Sequence, residues 1–173
     1  MALTSLRKVL PPPATPTETT GAGSWPPVEA SLGIHLPGDY KEFIDVYGTG
    51  VIGDFLWVFN PFSQRRYVNL STQVRTQLNA IEDLDGKPYP LYPKSGGLLP
   101  WGLTDNGNAL YWLTVGDPGA WPVVINESRG PEFEQHNTSL TEFLVGVITG
   151  AIVSELFPGD FLDRKITFRP GFA

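Results

Sequence analysis

The residues able to do chemistry in this chain do not form a catalytic set. Its two histidines, His35 and His136, are far apart in the sequence and share no motif, and cysteine is absent. The chain also lacks the Gly-x-Ser-x-Gly elbow of serine hydrolases, the His-Glu-x-x-His zinc motif and the Gly-x-x-x-x-Gly-Lys phosphate loop. We therefore expect a protein that is not an enzyme, with no catalytic residue, no metal site and no cofactor.

Two acidic stretches could still be binding sites. Residues 105–108, Asp-Asn-Gly-Asn, look like part of a calcium loop but lack the later glycine and glutamate of such a loop. Because Asn-Gly here separates two apolar runs, a hairpin turn is the favoured interpretation. Glu132 and Glu134 flank Phe133, so they share one face of a predicted strand. That face is either solvated, which is the commoner case, or part of a binding patch.

The acidic residues are concentrated in two parts of the chain. The net charge is −6, and residues 102–143 contain six acidic residues against Arg129. Residues 24–60 contain five against Lys41. An acidic surface repels nucleic acid and attracts a basic protein, although solubility alone would explain the charge equally well. The candidate partner-binding acids are Asp54, Asp105, Asp117, Glu127, Glu132 and Glu134.

Tryptophan is a further candidate for partner binding, since it is enriched at interface hot spots. Four of the five tryptophans are expected in or near the core. Trp101 is predicted to lie at a cleft edge, because it follows Pro100 and precedes Gly102. We therefore add Trp101 to the candidate binding residues.

The elements that must position these residues form a single domain at residues 24–173. Residues 1–23 are predicted to be a flexible arm, because the stretch from Pro11 to Gly23 is rich in Pro, Thr and Gly. Helices are predicted from Trp25 to about Leu32, over residues 36–47, and over residues 68–84, where apolar residues recur every three or four positions. A capping box, Ser139 with Glu142, predicts a last helix to about Leu156.

Strands are predicted between these helices. A buried strand covers residues 55–59, and the Asn-Gly turn joins strands at residues 98–104 and 109–115. Further strands are predicted at residues 121–125, 132–136 and 165–169. The order favours an α+β fold: a mostly antiparallel sheet, wound as a meander, with N-terminal, middle and C-terminal helices beside it.

Nothing in the sequence indicates export or a membrane. The N-terminus lacks a continuous apolar core preceded by positive charge, so it is a poor secretory signal. The strongest apolar run, residues 143–153, is shorter than the roughly 20 residues that span a bilayer. With no cysteine, we expect a cytoplasmic protein without membrane or nucleic-acid partners. The low charge content is compatible with either a monomer or a weak homodimer.

The ordered motifs resemble those of the SUKH superfamily, which includes fungal cell-wall-assembly regulators and bacterial immunity proteins. The resemblance covers about residues 24–126, whereas the Pro-rich start and the tail after about Leu156 match no known pattern. The matching pieces are Trp25 with Val28 and Glu29, Leu36-Pro37-x-Asp39-Tyr40 with Phe43, Tyr47-Gly48-x-Gly50, Leu98-Leu99-Pro100-Trp101-Gly102, Asp105-Asn106-Gly107, Tyr111-Trp112, and Trp121-Pro122-Val123.

This resemblance implies an intracellular α+β domain that binds another protein. The expectation is an immunity protein that occludes the active site of a cognate toxin, a basic protein that in many such pairs attacks nucleic acids. One alternative is a regulatory or scaffolding domain, as in the fungal relatives. A second is a small-ligand-binding domain, which would need polar groups converging on a cleft.

Overall fold

The computed structural model describes residues 2–19, 24–128 and 130–171. These residues form one antiparallel sheet with helices on both faces, which confirms the predicted α+β fold. The strands are β1 Gly50–Ile52, β2 Leu56–Val58, β3 Leu98–Thr104, β4 Ala109–Leu113, β5 Val123–Asn126, β6 Phe133–His136 and β7 Phe168–Pro170. Their order across the sheet is β6-β5-β4-β3-β2-β1-β7, so a continuous meander from β1 to β6 is extended by β7 beside β1.

The helices are largely those that the apolar spacing predicts. Two short 3-10 turns, Pro118–Ala120 and Phe161–Asp163, accompany them. The sequence does not predict the strand β1, which is only three residues long, or the first helix, α1 Ala2–Val9, which precedes the proline run. The helices are α1 Ala2–Val9, α2 Trp25–Leu32, α3 Gly38–Tyr47, α4 Leu70–Ile81 and α5 Leu140–Thr149.

The two faces of the sheet bury different residues, because side chains alternate along each strand. On one face, Leu110 and Trp112 of β4 pack with α1, α3 and α5. On the other, Tyr111 of β4 and Val124 of β5 pack with Ile81 of α4. The domain therefore has three layers, with the larger aromatic core between the sheet and α1, α3 and α5.

Helix α3 turns its predicted apolar face into that core. Tyr40, Phe43, Ile44 and Tyr47 are all buried. The Tyr40 hydroxyl donates to the Phe59 carbonyl at 2.6 Å, and burial raises its pKa well above the usual value. This hydrogen bond and the four buried side chains explain why α3 lies where the aromatic spacing predicts.

Helix α5 begins as predicted but ends earlier. The capping box is present, since Ser139 Oγ accepts from the Glu142 N–H and the Glu142 carboxylate accepts from the Ser139 N–H. The helix ends at Thr149 rather than Leu156, because Gly150 takes a left-handed conformation with φ 78°. The Asp39 carboxylate of α3 accepts from both the N–H and the hydroxyl of Thr141, each at 2.9 Å, and so ties the two helices together.

The described part of the segment before Ser24 packs against the domain, unlike the flexible arm predicted there. Helix α1 lies against α5, and its Leu3 and Leu6 are buried together with the following Leu10. The Tyr47 hydroxyl donates to the Leu10 carbonyl at 2.5 Å, and Thr17 bridges to Gly48. The apolar residues among the first ten form the buried face of α1. The proline run that follows them led to the prediction of a flexible arm instead. Residues 20–23 of the predicted arm lie outside the described residues.

Leu6→Ala tests whether α1 belongs to the core. Leu6 is fully buried, so its truncation should lower the free energy of unfolding by about 2–5 kcal/mol. The exposed neighbour change Ser5→Ala is the control and should shift it by less than about 0.5 kcal/mol. Urea unfolding followed by circular dichroism measures both. Equal stability of the two variants would mean that α1 contributes nothing to the folded domain.

Glu29 joins α2 to the start of α3. Its Oε1 accepts from the Leu36 N–H and from Lys41 Nζ, each at 2.8 Å, and its Oε2 lies 3.2 Å from His35 Nδ1. Burial raises the pKa of this carboxyl, but the hydrogen bonds with Lys41, Leu36 and His35 outweigh burial and lower the pKa to about 2. Because the folded-state pKa lies below the usual 4.5, Glu29 stabilises the fold above pH 4.5. That stabilisation is lost as the pH falls towards 2.

Glu29→Gln should remove this pH dependence. At pH 7 the substitution should lower the free energy of unfolding by up to about 3 kcal/mol. Between about pH 4.5 and 2, the stability of the variant should fall less steeply than that of the wild type. Urea midpoints at several pH values measure the effect, with the exposed Glu42→Gln as control. A variant that kept the wild-type slope would rule out this role for Glu29.

Candidate protein-binding surface

Three hairpin turns emerge at the same end of the sheet. In the strand register, Ile52 pairs with Leu56, and Leu56 pairs with Thr104. Ala109 pairs with Asn126, which in turn pairs with Phe133. The described residues of these turns, 53–54, 105–108, 127–128 and 130–132, therefore lie side by side, and we call them the hairpin end.

Four of the predicted binding acids lie on the hairpin end. Asp54, Asp105, Glu127 and Glu132 are all exposed, one or two to a turn. Asp54 has φ 51° next to Gly53 at φ 60°, as the tight turn between β1 and β2 requires. Antiparallel pairing thus converts acids that are up to 78 positions apart in the sequence into one cluster of carboxylates.

One cation reaches into this cluster from the neighbouring strand. Arg169 of β7 is 2.8 Å from the Asp54 carboxylate through Nη2, and its Nε donates to the same oxygen at 3.0 Å. Both side chains are largely exposed, so the pair adds little to stability. It does fix the direction of Asp54, while the carboxylates of Asp105, Glu127 and Glu132 face solvent in the adjoining turns.

Buried asparagines, which the sequence analysis missed, brace the hairpin end. Asn108 accepts from the Ser128 N–H at 3.0 Å and donates to the Leu156 carbonyl at 2.6 Å, so it links two turns to the C-terminal tail. Asn126 donates to the carbonyls of Gly130 and Glu132 at 2.9 and 3.0 Å. Their only sequence signal was an asparagine at the edge of each apolar strand, which is also common in ordinary turns.

Glu134 lies on β6, next to the hairpin end, and has a structural role. One carboxylate oxygen accepts from the Leu156 N–H at 3.1 Å, and the other is 3.3 Å from His136 Nε2. The His136 ring lies 5.3 Å from that of Phe143 on α5. Glu134 therefore fastens the tail beside the sheet rather than sharing a solvated face with Glu132.

Asp117 lies at the opposite end of the sheet, in the loop between β4 and β5. It begins the short turn Pro118–Ala120, and its carboxylate accepts from the Gly119 N–H at 2.8 Å. The dense acidic segment 102–143 is thus divided between the two ends of the sheet, which the charge count alone does not show.

Trp101 is in the core and not at a cleft edge. Its side chain is fully buried, 6.2 Å from the ring of Trp112 and 6.2 Å from that of Phe143. Trp101 follows Leu99 by two positions on β3, and both side chains lie in the aromatic core, as alternation along a strand requires. Helices α3 and α5 cover this face of the sheet, so Trp101 cannot contact a partner directly.

Trp101→Ala separates these two placements. The buried ring predicts a loss of about 3–5 kcal/mol of unfolding free energy, whereas a ring at a cleft edge would cost far less. Asp105→Ala, in the neighbouring exposed turn, should remain within about 0.5 kcal/mol of the wild type. Chemical denaturation of both variants checks this, and a small loss for Trp101→Ala would contradict the buried placement.

Among the described residues, the remaining polar groups do not converge on a reactive centre. His35 is 87% exposed beside Glu29, while His136 pairs with Glu134. The described ranges contain no group of three histidine or acidic side chains that could hold a metal ion. In the same part of the chain, no helix is long and apolar enough to cross a membrane.

The comparison with known families decides the affiliation of the chain. The SUKH family model described as SMI1-KNR4 cell-wall matches residues 24–144. The chain belongs to the SUKH superfamily. No curated protein matches it. The matched range runs from α2 into α5 and contains the whole hairpin end, whereas α1, the tail and β7 of this SUKH domain lie outside it.

Proposed function

We propose that this SUKH domain is a non-catalytic immunity protein, which neutralises a basic toxin by covering the active site of the toxin with the hairpin end. The observation that carries the proposal is the convergence of Asp54, Asp105, Glu127 and Glu132 on three adjacent turns. Occlusion needs only a complementary surface, so this chain need not supply any reactive group.

The charge of the hairpin end favours a basic partner. Exposed carboxylates on neighbouring turns attract a positively charged protein during diffusion. They repel nucleic acid, so a nucleic-acid substrate already bound to the toxin would not be held at this surface. Glu155, also exposed, precedes Leu156, which is bound to Asn108 at the same end. A nucleic-acid-binding site on a toxin is itself basic and would complement this cluster.

The bracing of the turns supports tight binding. Because Asn108 and Asn126 hold the turns through buried hydrogen bonds, the carboxylates are positioned before the partner arrives. Less conformational entropy is then lost on association. The absence of cysteine is compatible with the reducing cytoplasm, where we propose that the protein acts.

Charge reversal tests the hairpin end with a matched control. Asp105→Lys combined with Glu132→Lys should slow association with the toxin by about 10- to 100-fold at low salt, and by much less at high salt. Neither carboxylate has a hydrogen bond in the described structure that the change would break. The control, Asp83→Lys with Glu42→Lys at two exposed positions, changes the net charge equally but leaves the hairpin end intact, and its association rate should fall far less.

The measurement is stopped-flow association with the toxin, for which a protein encoded next to this chain is the candidate, after co-expression has shown that the wild-type chain protects cells from it. Failure to protect would contradict the immunity function. Protection combined with unchanged association of the Asp105→Lys/Glu132→Lys variant at low salt would keep the function but rule out the hairpin end. An equal loss in the control pair would attribute the effect to net charge alone.

A further inference from the structure

A cationic groove lies beside β7 and borders the acidic turn at Gly53, whose N–H donates to the carbonyl of Thr167 in the groove lining. It is formed by the C-terminal ends of α1 and α5, the proline run after α1 and the segment that leads into β7, and its volume is about 740 Å³. Its apolar lining is Val9, Ile148, Leu162, Ile166 and Phe168. Its charged lining is entirely basic: Lys8 from α1, and Arg164 and Lys165 from the segment before β7.

This concentration of positive charge stands out in a chain of net charge −6. Lys8 and Lys165 are exposed, and within the described ranges neither has an ion-pair partner. Arg164 has one, the exposed Asp160 at 3.4 Å, a pair that solvent screens strongly. The cations around the groove are therefore largely available to a negatively charged ligand.

Every residue that lines the groove is outside the range matched by the family. That range is residues 24–144, whereas the groove is built from residues 8–13, 148–149 and 162–168. Two segments at opposite ends of the chain are folded onto each other to make it. The groove is thus separate from the matched SUKH region that carries the hairpin end.

We propose that this groove binds an acidic segment of a partner protein, in which a large apolar side chain is flanked by carboxylates. The apolar side chain would lie on the lining of Ile148, Leu162 and Phe168, and the carboxylates would pair with Lys8 and Lys165. Charge complementarity selects the acidic segment, because no acidic side chain of the described chain lines the groove.

The openness of the groove favours a protein segment over a small ligand. Leu162 in its wall remains 47% exposed, and all three cations are exposed as well. Small-molecule sites usually enclose most of their ligand, which this wall does not allow. The apolar lining also distinguishes the groove from a nucleic-acid site, which would present mainly polar contacts to phosphates.

The test uses the full chain and fluorescein-labelled synthetic peptides. A peptide alternating glutamate with leucine should bind in fluorescence anisotropy, whereas glutamate–serine and lysine–leucine peptides should bind at least about tenfold more weakly, since each lacks one half of the complementarity. Absence of binding by the glutamate–leucine peptide, or equal binding of it and the glutamate–serine peptide, would overturn the proposal.

Variants locate the site. Lys8→Glu with Lys165→Glu should weaken binding of the glutamate–leucine peptide by at least about tenfold and reduce its salt dependence. The matched control is Arg75→Glu with Lys94→Glu, an equal charge change at exposed positions on the groove beside α4, and it should retain wild-type affinity. An equal loss in the control would show that net charge alone is responsible and would overturn the site.

Two further measurements complete the test. Leu162→Ser, at a half-exposed position, should weaken binding several-fold while leaving the salt dependence unchanged, and circular dichroism should show that each variant is folded. Dodecanoate is the small-ligand competitor. If it bound more tightly than the peptide and displaced it, the groove would belong to an anionic amphiphile and the proposal would be overturned. None of these results depends on the toxin or the hairpin end.

Discussion

Burial of one aromatic face of the sheet is the constraint on which the rest of this structure depends. The ring of Trp112, on the central part of the sheet, has its centroid 5.0 Å from that of Tyr40 and 6.2 Å from those of Trp101 and Trp121. Through Tyr40 this cluster fixes α3, and through Trp101 and Phe143 it fixes α5. Aromatic side chains contribute more buried area than any other residues, and their edge-to-face contacts add direction to that burial. These ring contacts therefore set where α3 and α5 lie on the sheet.

The placement of charge follows from this arrangement. The helices cover the aromatic face of the sheet. Because successive strands of the meander are antiparallel, every second turn lies at the same end, and Asp105, Glu127 and Glu132 lie on these turns. The basic residues of the tail are instead held beside β7 by the same packing that buries Ile166 and Phe168. The two surfaces of opposite sign meet where the Gly53 N–H donates to the Thr167 carbonyl at 2.9 Å.

The two chain ends extend the family-matched region without replacing its core. Helix α1 covers α5, and β7 adds a strand to the edge that β1 would otherwise leave unpaired. The buried Leu6 and Leu10 show that this addition is part of the folded domain. The edge of the sheet is then β7 itself, which is three residues long and ends in Pro170, and a short edge strand with a proline discourages edge-to-edge association.

The sequence by itself determined the elements whose signals are local: the spacing of α4, the capping box at Ser139 and the Asn-Gly turn at 106–107. These depend on residues a few positions apart, and such interactions are the same in any fold. Only the tertiary structure decided that Trp101 is buried, that Asp117 is separated from the other candidate acids, and that Lys8 meets Lys165. The physical reason is that a side chain is buried only where a helix covers its face of the sheet, and strand order and direction set the end at which each turn emerges. Both are fixed by packing between residues that are distant in sequence.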